Sequence, residues 1–156
     1  MKLGTWNVRS FYRAGYLKAA ARELARYKLD VVGVQEVSWD KGGTVSAGDY
    51  NFFYEKGNEN HQLGTGFFVH RRLISAVKRK EFVSDSFSYI VLRGRWLHII
   101  LVNVHAPCEE KSEVLKDSFY EELEDVFDHF PKYHMKILLG DFNAKVGRDD
   151  ISKPII

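Results

Sequence analysis

Three stretches predict an α/β fold in which two β-sheets pack as a sandwich with helices on the outer faces. Strand, helix and strand follow one another within the first 36 residues, over Leu3–Val8, Gly15–Tyr27 and Asp30–Glu36, which is the layout of a layered α/β protein. Tyr89–Leu92 and Trp96–Val104 flank Arg93-Gly94-Arg95, which predicts an antiparallel hairpin with a tight turn at Gly94. Lys111–Phe130 places Leu115, Phe119, Leu123, Val126, Phe127 and Phe130 at helical spacing, with acidic residues over much of the remainder, and Pro131 ends it.

Arg9–Ala14 is a polar and aromatic connector. In the first helix Leu17, Ala20, Ala21, Leu24 and Tyr27 share one stripe, while Arg22, Glu23 and Arg26 lie outside it. From Trp39 to Gly64 glycines and polar residues dominate, so only Tyr50–Tyr54 reads as a strand between long loops. Thr65–Val69 is a further strand, followed by Arg71-Arg72. Lys78-Arg79-Lys80 is either a solvated face or a set of phosphate contacts. Pro107 closes the long strand, because proline cannot donate to a ladder.

Composition bounds the class. With 156 residues and 45% hydrophobic content, one well-cored domain over 1–156 is expected. The net charge of +2 is too mild to argue for nucleic acid by itself. Cys108 is the single cysteine, so no internal disulfide forms and a reducing, intracellular setting is expected. No signal-peptide core opens the chain, and no apolar run approaches the roughly 20 residues of a membrane helix. A soluble protein with no membrane partner is expected.

The chemistry gathers at strand ends. Ile137–Leu139 reads as a short buried strand, broken by Gly140 and followed by Asp141 and Asn143 on either side of Phe142. A carboxylate and an amide on one face can hold a water, a metal or a phosphate oxygen; the same residues also make an ordinary turn. The pattern recurs: strands read as buried end at Asn7, at Gln35-Glu36, and at Asn103 and His105. Loops and strand ends on a rigid scaffold are where sites form.

These pieces, Thr5-Trp6-Asn7-Val8-Arg9-Ser10, Val34-Gln35-Glu36, Gly64-Thr65-Gly66-Phe67, Asn103-Val104-His105-Ala106-Pro107 and Gly140-Asp141-Phe142-Asn143, occur in the order found in the endonuclease/exonuclease/phosphatase superfamily. The chain resembles most the apurinic-type endonuclease domain of non-LTR retrotransposons. The resemblance implies a DNase I-like two-sheet sandwich flanked by helices and incomplete at the C-terminus, a nuclear setting, DNA as partner and Mg2+ as cofactor, with Mn2+ as an alternative ion.

Hydrolysis of a phosphodiester needs a metal to neutralise charge, a base to activate water and donors that fix the phosphate. Glu36, an acid at the end of a buried apolar strand, is the first metal-ligand candidate, against the alternative of a salt bridge. The resemblance agrees, and it implies that Asn7 orients that carboxylate or coordinates through its amide oxygen, although an Asn after a strand is also a common turn former. By the same resemblance Asp141 positions the attacking water or stabilises the leaving oxygen, and Asn143 donates to the scissile phosphate. Arg9 is a candidate substrate contact. His105 stands where many relatives have a Tyr that contacts the phosphate; imidazole donates similarly, and a structural role is the alternative.

One element of the family pattern is missing. Its catalytic His lies in a Ser-Asp-His motif well beyond Gly-Asp-Phe-Asn, and these 156 residues hold no such motif. Asp128-His129 falls at a helix end instead, where His129 suits the C-terminal dipole. His61, His70, His98 and His134 show no partner spacing. The expectation is therefore a Mg2+-dependent DNA endonuclease domain of retroelement origin, with hydrolysis impaired. A sheet edge left unpaired is expected to promote self-association. The alternatives are a non-catalytic nucleic-acid or protein interaction module, and a phosphatase of the same superfamily.

Overall fold

The computed structural model describes residues 1–8, 14–37, 43–54, 64–84, 86–106 and 113–141. Their elements are β1 (Leu3–Asn7), α1 (Ala14–Arg26), β2 (Val31–Val37), β3 (Gly43–Ala47), β4 (Tyr50–Tyr54), β5 (Gly64–His70), a 3-10 turn (Arg71–Ala76), β6 (Val77–Phe82), β7 (Phe87–Leu92), β8 (Ile99–His105), α2 (Glu113–His129) and β9 (Met135–Asp141).

Two sheets form, in the orders β1-β2-β5-β4-β3 and β6-β7-β8-β9. Each has one parallel pair at an edge, β1 with β2 and β8 with β9, and antiparallel pairing elsewhere. A parallel pair needs a long crossover, which α1 and α2 supply.

Strand alternation then sorts side chains into layers. Val32 and Val34 of β2 pack with Leu17, Ala20, Ala21 and Leu24 of α1 on one outer face. Ile100, Val102 and Val104 of β8 pack with Phe119 and Leu123 of α2 on the other. Between the sheets lie Val31, Phe53, Phe67, Val69, Ile90, Leu92, Leu101 and Leu139. The predicted α/β sandwich with helices outside is the fold observed.

Several elements differ from the sequence expectation. Two strands read as buried, β1 and β9, are edge strands, with Trp6 39% and Met135 50% exposed. β3 pairs with β4 in full register from Gly43↔Tyr54 to Ala47↔Tyr50, where a loop was expected. Its GTVSA sequence carries little apolar signal because an edge strand needs only one covered face. Lys78-Arg79-Lys80 belongs to β6, an edge strand. The β7–β8 connection is not a tight turn: β8 begins at Ile99, and residues 93–98 form the link, with Trp96 86% exposed. Tyr27 lies beyond α1 and is exposed, and Leu115 of α2 is exposed as well. Among the described residues, no helix is long and apolar enough to cross a membrane.

Candidate functional site

The C-terminal ends of the two parallel pairs meet at one end of the sandwich. In the first sheet Asn7 pairs with Gln35, next to Glu36; in the second His105 pairs with Asp141. A bond across the interior ties these corners together, since Gln35 Nε2 donates to Asn103 Oδ1 at 2.8 Å. The same amide also reaches Thr5 Oγ1 at 2.9 Å and the Gly33 carbonyl at 3.1 Å. Asn103 Nδ2 in turn donates to the carbonyls of Val34 at 3.0 Å and Gly66 at 2.8 Å. Gly33 makes room for this bracket, because a Cβ there would stand 2.8 Å from the Asn103 side chain.

Gln35 and Asn103 are therefore not open site groups. Both are buried, and Gln35 Nε2 with the Asn103 amide is engaged in internal bonds, those of Asn103 joining the two sheets. The sequence pattern, polar residues at strand ends, did not separate these two from Glu36 and His105. A buried amide is retained where its partners are present, and those partners come from distant strands.

Glu36 is set apart by its backbone. Its φ is 56°, in the left-handed region, and the β2–β5 register shifts between Val34 and Val37. Val32 and Val34 face α1, so unbroken alternation would send Glu36 under the helix too. The bulge lets Val37 return to that core and leaves Glu36 half-buried at the strand end. A non-glycine residue held this way costs about 1–3 kcal/mol, and such strain clusters at functional sites. The facing sheet has a parallel feature: Gly140, immediately before Asp141, has φ 128°, and a Cβ there would collide with the Val104 carbonyl oxygen.

His105 is half-buried, with its backbone N–H donating to the Ser86 carbonyl at 2.7 Å. Its Nδ1 is shielded from solvent and has no hydrogen-bond partner among the described residues. Asn7 is half-buried at the end of β1. Asp141 is the last residue of β9, placed by its backbone alone; Arg9 and Asn143 lie outside the described residues. Among those residues no group of three or more His, Cys, Asp or Glu forms a metal cluster. Magnesium does not require one: it takes one or two carboxylates and keeps several waters. A half-buried carboxylate beside an amide is an all-oxygen donor set, which suits Mg2+ or Mn2+ over Zn2+.

The basic candidates fall elsewhere. Arg71 pairs with Asp49 at 2.8 Å and Arg72 with Asp30, both at the opposite end of the sandwich. The histidines expected to lack partners include a pair: the rings of His98 and His134 stack with centroids 4.9 Å apart. They sit 36 residues apart on separate connections, which no spacing rule reveals.

Residues 4–154 match the Endonuclease/Exonuclease/phosphatase family. The chain belongs to that family. Within it, the chain is 29% identical over 151 residues to craniofacial development protein 2 of Bos taurus, covering 96% of this chain and 25% of that protein. The chain thus spans about a quarter of the curated relatives it matches. The endonuclease domain of TRAS1, a telomere-specific non-LTR retrotransposon, shares the fold with a TM-score of 0.61 at 18% identity, over 88% of this chain and 60% of that domain. The mannosyl-6-phosphatase Bt3783 of Bacteroides thetaiotaomicron VPI-5482 does so equally, at 0.61 and 14% identity, over 90% and 64%. An endonuclease/exonuclease/phosphatase chain can therefore share this sandwich with enzymes of either name.

Proposed function

We propose that this end of the sandwich is a divalent-metal-dependent phosphodiesterase site acting on DNA in a nuclear setting. The observation that carries the reading is the meeting of two strand ends, one with Glu36 in a strained backbone conformation and one where Gly140 takes a positive φ open to glycine. Glu36 on its bulge and Asp141 after Gly140 come from different sheets and are joined by the Gln35–Asn103 bond. Glu36, with Asn7 beside it, would hold Mg2+ or Mn2+. When bound, the ion supplies charge neutralisation of the phosphate. His105 closes β8 at the same end, and an imidazole N–H there would donate to a phosphate oxygen. Asp141 would orient the attacking water, Asn143 would donate to the scissile phosphate, and Arg9 would contact the substrate.

Base supply sets the expected rate. Among the histidines of the described residues His105 closes β8 at this end, while His70, His98 and His134 belong to the other and His129 ends α2. A positioned general base contributes about 10²–10⁴-fold, so slow turnover is expected from these residues by themselves. The test is incubation of supercoiled plasmid with magnesium beside an Asp141→Ala control. Slow nicking lost in the variant and in chelator supports the reading. Equal plasmid traces in all three lanes would leave a binding module, and phosphate release from a phosphomonoester without nicking would assign the chain to the phosphatase side of its family.

A further inference from the structure

The end of the sandwich opposite Glu36 is made by six segments: residues 1–2, 27–30, 48–49, 71–76, 93–98 and 130–134. Together they hold seven lysines and arginines against two aspartates, an excess larger than the +2 of the whole chain. Both aspartates are already engaged, Asp49 by Arg71 and Asp30 by Arg72. Among the described residues no carboxylate is in ion-pair reach of Lys28, Arg93, Arg95 or Lys132. This pole is positive, and its charge is not consumed by the fold.

Aromatic faces lie open within it. Trp96 is 86% exposed, with the Arg95 guanidinium 5.5 Å from its ring centroid. Tyr133, 68% exposed, leans on His134 at 4.2 Å, and His134 stacks on His98. Lys78 Nζ lies 3.2 Å from His98 Nε2, while His98 Nδ1 is shielded and has no hydrogen-bond partner among the described residues. Burial, followed by the nearby Lys78, His134 and Arg93, holds this imidazole below its ordinary value of 6.5 and so favours the neutral ring beside these cations.

A ligand that satisfies both features carries repeated negative charge and unstacked planar rings. Duplex DNA has the first and hides the second. An acidic protein surface offers charge without bases to cover Trp96. We propose that this pole is a second nucleic-acid surface that takes single-stranded nucleic acid, with phosphates on Lys78, Arg93 and Arg95 and bases stacked on Trp96 and Tyr133. It is separate from the candidate metal site, because the seven residues of β8 put about 20 Å between His98 and His105.

Trp96 is its own reporter once Trp6 and Trp39 are replaced by Phe. Oligothymidylate is expected to quench Trp96 emission saturably, and the affinity is expected to fall as salt rises. Replacing Lys78, Arg93 and Arg95 by Ala should flatten the slope of log K against log salt by about 2. Trp96→Ala, followed by anisotropy of a labelled oligonucleotide, checks the same contact without the fluorescence. The quench should persist in Glu36→Gln, so a failure of the metal-site reading leaves this result intact. The proposal is overturned by oligonucleotide binding that leaves Trp96 emission and the triple variant's salt slope unchanged. An absence of binding overturns it too, as does equal quenching by duplex DNA or polyglutamate.

Discussion

At the scale of single residues, Asn103 and Gly140 show how much of the site is support. Asn103 is fully buried and bonds to Gln35, Val34 and Gly66, all in the other sheet. Asn103→Ala should leave several buried polar groups unpaired, at about 1–3 kcal/mol for each group not reached by water. The urea midpoint should then fall with the m-value unchanged; a loss under about 0.5 kcal/mol would mean that the bracket contributes little. Gly140 answers a different demand. Gly140→Ala should cost about 1–3 kcal/mol for the positive φ alone, with the collision against the Val104 oxygen added to it. A melting temperature equal to the parent's would refute that account of the β9 end.

At the scale of elements, what was legible depended on local pattern. The stripe of Leu17, Ala20, Ala21 and Leu24 marked α1, and the apolar alternation of Ile100, Val102 and Val104 marked β8, because each needs only its own residues to be recognised. β3 was not legible, since its strand character comes from pairing with β4. Residues 93–98 were misread because Gly94 suggests a tight turn, whereas Trp96 and Leu97 belong to a longer link. For the site, Glu36 and His105 stood out as polar residues closing apolar runs. That Gln35 and Asn103 are internal braces could not be read, because the fact depends on which sheets face each other. The bulge at Glu36 was invisible for the same reason: it is a register shift against β5.

At the scale of the whole molecule the two ends of the sandwich have opposite character. One gathers Asn7, Glu36, His105 and Asp141; the other gathers a surplus of cations and open aromatic rings. With a net charge of only +2 over 156 residues, composition alone concealed this polarity. Topology creates it, because both parallel pairs run in the same sense and send their C-termini to one end. The account rests on that end binding a divalent ion through Glu36. A ligand that binds the native state raises the melting temperature by mass action, increasingly with concentration. The deciding measurement is therefore the melting temperature against magnesium concentration for the parent chain and for Glu36→Gln. A rise in the parent and a flat response in a variant that melts normally without metal is the predicted result. An equal rise in both would contradict it.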